Sequence, residues 1–566
     1  MGAEGKRRKK MEDKNLSGLN ITAKEHPKWY EPASLIFATL MCILGTIIGM
    51  ELIVATGTTP NTSLVGALFA IVFSRIPLSV CKKFRSIHRQ NLIQTSISGA
   101  TFSVANCMLL TIGIPVVMGY PELMVPMLIG CTLATIIDAS ILYKCFDTPM
   151  FPAEGAWPPG VACAETLLAV IEKGKKAFGI IIGMLMGAVG KAAGIPMDLL
   201  GVSWFGNFWA MMALGIGSII IGVIKTNAFS FALFSFNFNF VDGIFGENFV
   251  YSDYISLNYL PHGIMVGAGI VSLIQCGIML MKKSDGNTSA AGEFTSSMKN
   301  MKGALGIGFG AYAVVAMVLA VVCGLLTDMS IPMFILWVLF AAFAALASEL
   351  IVGISAMHSG WFPGFATALI FLIVGMLIGF PPLALGILAG YTAATGPCFS
   401  DMAYDLKCGY ILRGEGKDPE LEKVGRQQQF YAELFGFAVA FVMALLFANK
   451  YFDQGMFVAV SNTYKSTIEA GTSMEVAKWL LIWAVPGAVI QWLGGHKQIG
   501  ILFATGLLVG STINGITILV ALLIRYIAVK RNPENEATLT ILGAGALAGS
   551  ALYSFFTATL GLVKRN

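Results

Sequence analysis

The sequence predicts an all-α polytopic membrane protein with about 16 transmembrane or re-entrant helices in two homologous halves. Three observations carry that expectation. Charged residues are only 12% of the 566, hydrophobic residues are 56%, and mean hydropathy is +0.75. A soluble domain carries roughly 25% charge, because water must wet its surface. The apolar residues fall in runs near the ~20 residues a bilayer span needs. Basic residues fill alternate loops, as in chains whose cytoplasmic loops resist translocation. This composition excludes a soluble enzyme, a disordered chain and a nucleic-acid binder.

The N-terminal stretch 1–32 is polar and carries Lys6, Arg7, Arg8, Lys9 and Lys10. It reads as a cytoplasmic tail. Met11 is a second candidate start, so whether residues 1–10 are native stays open. No cleavable signal peptide is visible, and the first span reads as an uncleaved anchor. Apolar runs follow near 33–54, 61–80, 92–119, 123–143, 161–171, 177–195, 203–224, 228–240 and 257–281. They form a first repeat over 33–281. A polar cytoplasmic linker, 282–302, carries Lys282, Lys283, Lys299 and Lys302. The second repeat, 303–566, has runs near 303–325, 331–354, 362–379, 382–400, 428–449, 476–494, 499–529 and 537–560. The run at 161–171 is too short to span alone and reads as re-entrant. Lys82, Lys83, Arg85 and Arg89 follow the second run, whereas the turns at 55–62, 119–123, 326–332 and 380–382 carry no Lys or Arg. This alternation puts the N-terminus and the linker in the cytoplasm. The ten cysteines are scattered without metal-ligand spacing and read as small buried hydrophobes.

The halves echo one another. Ser98-Gly99-Ala100-Thr101-Phe102 lines up with Ser359-Gly360-Trp361-Phe362-Pro363, and Gly119-Tyr120-Pro121 with Gly379-Phe380-Pro381. Gly263-Ile264-Met265-Val266-Gly267 lines up with Gly506-Leu507-Leu508-Val509-Gly510. If both halves start in the cytoplasm, they share one orientation, a parallel repeat about the membrane normal. Duplicated spans with Gly- or Pro-interrupted segments mark secondary transporters. In hydrocarbon, a broken helix is tolerated only where its exposed peptide groups line a cavity or bind solute. The segments 98–106 and 359–366 are therefore expected to be breaks that hold solute, including Ser98, Gly99, Phe102, Asn106, His358, Ser359 and Gly360. Close helix packing through small residues is the competing explanation.

Ionisable side chains in apolar runs are candidates for ion coupling. Glu165 follows the Trp157-Pro158-Pro159 interruption, one turn into a half-helix, where it can bind a cation or exchange a proton. Glu154 lies in the same loop and reads as wetter. Glu51 and Arg75 read as interfacial. Glu349 divides evenly between a functional and a structural role. Glu433 reads first as half of a structural ion pair. His262 and His358 flank glycine-rich interruptions and read as packed residues or pH sensors. The stretch from Asn227 to Asp242 alternates Phe with polar residues and reads as lipid contact or as a cavity wall. No GxSxG, HExxH, P-loop or GxGxxG pattern with its structural context is present, so no cofactor is expected and no enzyme is indicated.

Specific strings resemble the oligopeptide transporter superfamily, which includes prokaryotic members and the plant yellow-stripe metal-chelate carriers. Asn91-Leu92-Ile93-Gln94-Thr95 before Ser98-Gly99 is similar to its NNIVQT…SAG. Pro159-Gly160-Val161-Ala162-Cys163-Ala164-Glu165 is similar to PEGxACAE. Asp405-Leu406-Lys407-Cys408-Gly409-Tyr410 is similar to DLKTGY, Arg426-Gln427-Gln428-Gln429 to RKQQ, and Gly506-Leu507-Leu508-Val509-Gly510 to GLIAGE. The resemblance implies secondary uptake of small peptides or metal–chelator complexes, usually proton-coupled. It makes Gln94, Ser98, Gly99, Asp405 and Tyr410 candidates for substrate binding and Glu165 and Lys407 candidates for ion coupling, and Glu154 joins the latter from its place in the loop before Glu165. Asp405 and Lys407 are equally compatible with loop scaffolding. Three departures touch this pattern. Thr101 replaces an acidic residue frequent in prokaryotic members, His358-Ser359-Gly360-Trp361-Phe362-Pro363-Gly364 replaces an NPISG-like segment, and residues 411–425 are inserted.

Together these readings indicate a multi-pass plasma-membrane importer of small peptides or peptide-like solutes. It would work by alternating access, driven by a coupling cation, the proton first. A metal–chelator complex is the alternative cargo on the same scaffold, with no metal held by the protein itself. A channel or intramembrane enzyme is the alternative of another class. Oligomeric state stays open, a homodimer included.

Overall fold

The computed structural model describes residues 21–56, 66–67, 86–171, 175–226, 228–231, 234–237, 250–251, 254–281, 288–289, 292–293, 295–360, 362, 364–471, 474–497 and 499–565. The architecture is all-α. Ten described helices are long and apolar enough to cross a bilayer, and four shorter apolar helices accompany them. The chain is therefore a multi-pass membrane protein. The expected span at 61–80, Arg75 included, lies almost wholly outside the described residues.

The outward faces explain the composition. Leu481, Val485 and Val489 form an i, i+4 stripe on the Met474–Gly494 helix and are 68%, 64% and 51% exposed. Ile36, Leu40 and Leu44 do the same on Pro32–Thr56. In water such stripes would be aggregation sites; in lipid they meet their natural solvent. Inside, small residues let backbones approach. Gly183 and Gly187 press on the backbone of Leu542 to Ala546, and Gly545 and Gly549 press back on Ile180 to Met184. Packing without a hydrophobic driving force between helices favours such contacts.

Each of the two large cores draws on both halves of the chain. One unites side chains from Met50 to Trp157 with side chains from Met301 to Leu480. The other unites Ala162 to Ala268 with Ile501 to Ala548. The two halves of the sequence thus pack into shared cores.

The two glycine-bearing segments differ in conformation. Residues 98–106 are not an interruption: the Ile87–Phe102 helix passes into a π-helix, Ser103–Leu109, and then into Leu110–Val117. This corrects the expected break. Ser98 and Gly99 lie in regular helix, and only the hydrogen-bond register changes after Phe102. The matching segment is a true break. The Ile331–Ser359 helix ends at Gly360, whose φ of 70° is the left-handed conformation of a C-cap, and a new helix starts at Gly364.

Two further expectations change. The described residues of the run at 228–240 are not helical; Ala228–Phe231 and Phe234–Asn237 pair as antiparallel strands. Alternation of period two is a strand pattern, and it outweighs the run's hydrophobicity. Glu51 is not interfacial but buried, at 6% exposure beside Tyr451. The short run at 161–171 becomes the Pro158–Ile171 helix, with Pro at its first turns.

Candidate functional site

Three apolar helices each carry polar side chains four residues apart, and the three faces meet. Gln94 and Ser98 lie on Ile87–Phe102, Asp401 and Asp405 on Pro397–Leu412, and Gln429 and Glu433 on Pro419–Asp453. An i, i+4 spacing places both members on one helix face, so each helix presents a polar strip to the others. The Gln94 amide donates to Asp405 Oδ1 at 2.6 Å, and the Ser98 hydroxyl donates to Asp401 at 2.9 Å. The Gln429 amide donates to the Asp405 carbonyl at 2.6 Å and to Thr95 Oγ1 at 3.2 Å. Asn91 orients Gln94 by donating to its Oε1 at 3.1 Å.

At the centre, one carboxylate oxygen from each of Asp401, Asp405 and Glu433 lies within 4.8 Å of the others. Their exposures are 1%, 0% and 0%. Gly99 makes room for Glu433: a Cβ at that position would lie 2.7 Å from the Glu433 carboxyl carbon. Gly436, one turn further on, admits the Ser96 carbonyl to the opposite side of the crossing. Close packing and site construction are thus one device here. Among the described residues Glu433 makes no ion pair, which corrects the structural pairing expected for it; its clustered neighbours are the acids Asp401 and Asp405.

Burying three carboxyl groups side by side is unfavourable unless charge is removed or balanced. The cluster can therefore take up protons, or hold a hard cation through its oxygens. As it stands it is sealed from water on all sides.

The irregular segments gather nearby. Phe102, at the entrance to the π-helix, packs edge-on against Phe362 of the break at 5.0 Å. Asn106 donates to the Phe102 carbonyl at 3.2 Å within the π-helix. Gly360 rests on Pro158 and Pro159, and the Trp157 amide donates to the Met357 carbonyl at 2.9 Å. The His358 carbonyl accepts from the Asn207 amide at 3.0 Å, and the Ser359 hydroxyl bonds back to the Ser355 carbonyl at 2.9 Å. Gly160 lets the Pro158–Ile171 helix lie directly on the Tyr404 carbonyl and Lys407.

The remaining candidates divide. Lys407 is buried and donates to the Ala153 carbonyl at 2.7 Å, tying the Asp147–Trp157 loop to the Asp405 helix. Glu154 beside it is exposed. Tyr410 donates to the Glu415 carbonyl at 3.0 Å, closing the turn that begins the inserted segment. Glu165 is half-buried on Pro158–Ile171 and is not one of the clustered carboxylates, although Cys163, two residues earlier, lies beside Asp405 and Asp401. Thr101 bonds to its own helix and fits against Gly45 and Gly49.

The inserted residues 411–425 build a buried charge network. Arg413 donates to Glu422 at 2.8 and 3.1 Å and to Gln429 at 2.7 Å, and Arg426 bonds Glu422 and Thr295. This network holds Gln429, and through it Asp405.

A family profile described as OPT oligopeptide transporter protein matches residues 192–560. The chain belongs to the oligopeptide transporter family. No curated protein matches it significantly. The profile match covers the helices that carry Asp401, Asp405, Gln429 and Glu433 and the break at Gly360. In this family member, Gln94, Ser98 and Gly99 precede the matched stretch and reach the site through packing.

Sequence reasoning missed Asp401, Gln429 and Asp138. Asp401 stands four residues before Asp405, and Gln429 four before Glu433, so the spacing was the available signal. Asp138 is the lone charge inside the run at 123–143 and met the rule applied to Glu165.

Proposed function

We propose that this family member is a secondary transporter that imports small peptides or peptide-like solutes by alternating access, with proton movement through the Asp401, Asp405 and Glu433 cluster as the driving step. The observation that carries the reading is the burial of three carboxyl groups within 4.8 Å, with amide and hydroxyl groups of the first half donating to two of them. Such a group changes charge when it is wetted and when it is sealed, so its proton occupancy follows the conformational cycle.

The mechanism rests on contacts between the halves. Gln94 and Ser98 of the first repeat hold Asp405 and Asp401 of the second. Rocking one set of helices against the other loosens those bonds and exposes the carboxyls to one side. The π-helix at Ser103–Leu109 and the break at Gly360 are the places where such movement costs least, since neither has a regular i→i−4 ladder to disrupt. Peptide groups of solute are read near Phe102, Asn106, His358 and Ser359, where the π-helix and the break adjoin. Glu165 serves as a second titrating group at the edge of the cluster, and Lys407 and Tyr410 hold the Asp405 helix in place. The N-terminus is cytoplasmic and the membrane is the plasma membrane.

The test uses the full chain in proteoliposomes, with a labelled di- to tetrapeptide mixture and an imposed pH gradient. Peptide uptake accelerated by an inward proton gradient supports the reading. Uptake that ignores the gradient and follows sodium instead assigns the cluster to another cation. Transport of a metal–chelator complex with no competition from peptides replaces the cargo.

A further inference from the structure

We propose that Asp138 and Glu349 share one proton between their carboxyl groups, forming a second proton site, separate from the three-carboxylate cluster, that holds the start of the Pro397–Leu412 helix. The pair joins the Met124–Cys145 helix to Ile331–Ser359, and both side chains are 0% exposed. Both side chains face the start of the Pro397–Leu412 helix: Asp138 accepts from Gly396 and Phe399, and Val352 and Gly353, one turn beyond Glu349, pack on those same two residues.

The hydrogen bonds around them are incomplete in one respect. Asp138 Oδ2 accepts the amides of Gly396 at 3.1 Å and Phe399 at 2.8 Å, and Glu349 Oε2 accepts the Tyr312 hydroxyl at 2.6 Å. Asp138 Oδ1 and Glu349 Oε1 have no donor at all. Two ionised carboxylates cannot donate to each other, so both oxygens would be orphaned and both charges would repel. A single proton turns one carboxyl into a donor, satisfies its partner and halves the charge. Among the described residues, the titratable side chains around the pair are Tyr312, Tyr391, Cys145 and Cys398, and none of these is a base that could balance a second charge. A metal ion is the competing occupant, and two carboxylates with a tyrosine make a thin ligand set for one.

The consequence lies in the capped helix. Asp138 caps its N-terminus through Gly396 and Phe399, and Asp401 and Asp405 follow in its second and third turns. The charge left on the pair therefore sets how firmly that helix end is held. This site stands on its own contacts and does not depend on the transport reading.

The test is infrared difference spectroscopy of the purified full chain in H₂O and D₂O, read in the carboxylic-acid C=O region. Glu349→Gln and Asp138→Asn are compared with the wild type, with helical content checked by circular dichroism. Each amide can donate the hydrogen bond that the shared proton supplied. A shared proton predicts that either substitution removes the same deuterium-sensitive acid band. If Asp138→Asn leaves the band and only Glu349→Gln removes it, Glu349 is a lone neutral acid and the sharing is wrong. If neither removes a band, the pair holds no proton. Should a variant fail to fold, ¹³C labels in the aspartate or the glutamate side-chain carboxyls, placed in Asp401→Asn/Asp405→Asn/Glu433→Gln protein so that the three-carboxylate cluster contributes no acid band, give the same decision. A shared proton shifts the band envelope with both labels, and a shift with only one label overturns it. An acid band that appears only in metal-depleted protein and disappears on adding zinc identifies a metal pair instead.

Discussion

Replacing Glu433 by glutamine is the perturbation that most directly separates proton coupling from simple structure. Two unit charges 4.8 Å apart at an effective dielectric near 20 repel by about 3.5 kcal/mol. Three ionised carboxylates therefore hold on the order of 10 kcal/mol of repulsion, comparable with the whole stability of a typical domain. At least one neutralising proton or cation must be present when the site is sealed. Glu433→Gln removes two of the three repulsions, about 7 kcal/mol in the fully ionised state, and keeps the volume beside Gly99. The variant should fold at least as well as the wild type. It should also lose the exchangeable charge. In proteoliposomes, gradient-free counterflow of labelled peptides should persist, and acceleration by an inward proton gradient should fall to the level seen without a gradient. Counterflow separates the two because exchange needs the alternating movement but not net proton transfer. A variant that keeps full pH-gradient acceleration refutes the assignment of Glu433, whatever its stability.

Other substitutions test neighbouring parts of the argument. Gly99→Ala places a methyl 2.7 Å from the Glu433 carboxyl, and overpacking of this kind costs about 1–3 kcal/mol; thermal unfolding in detergent should show the loss, and Gly99→Ala with Glu433→Ala should recover part of it. Glu422→Ala leaves Arg413 and Arg426 as buried cations with one acid fewer, a loss of about 3–5 kcal/mol by denaturant unfolding, while Arg413→Met with Glu422→Leu should cost less. Burial, with the positive charges of Arg413 and His88 beside it, holds the His26 imidazole down at about 3, below its ordinary 6.5. A depressed histidine stays neutral in the fold while the unfolded chain takes a proton, so stability falls as pH drops below 6.5 and levels off near 3, by about 2 kcal/mol at pH 5. His26→Gln should flatten that part of the pH–melting curve, and an unchanged curve removes the assignment. Glu165→Gln should shift the pH optimum of driven uptake; identical profiles at every pH take Glu165 out of the coupling path.

The membrane class was legible because it depends on composition, which packing cannot alter. Runs such as 123–143 and 303–325 became the helices Met124–Cys145 and Met298–Val322 within a few residues at their starts. Errors arose where a local pattern had two meanings. The segment at 228–240 was hydrophobic enough for a span, yet its period of two fits a hairpin. Ser98-Gly99 and Ser359-Gly360 look alike as strings, but only the second carries Pro363 after its glycine, which bars the helix from running on and leaves Gly360 as a left-handed cap. Without a proline after Gly99, the first segment stays helical and changes only its register. The likeness of the halves in sequence therefore did not extend to the conformation of the matching glycines.

The site was legible only in part for a related reason. Sequence distance hides which polar strip faces which, and Gln94 and Asp405 are 311 residues apart. Weighing each ionisable residue alone favours Glu165, which has a helix start and a Pro-Pro interruption beside it. It disfavours Glu433, which has no local feature except its depth in the run. Depth is nonetheless the property that matters, because a carboxyl far from water has the most to gain from a proton. Scoring polar pairs at i and i+4 within apolar helices selects Gln94/Ser98, Asp401/Asp405 and Gln429/Glu433 together. Three such strips cannot all face lipid, where each amide and acid would lack partners, so they must face one another. That necessity makes a buried acidic cluster the expected result of the sequence, and it places the cluster where the Ile87–Phe102 helix of the first half meets the Pro397–Leu412 and Pro419–Asp453 helices of the second.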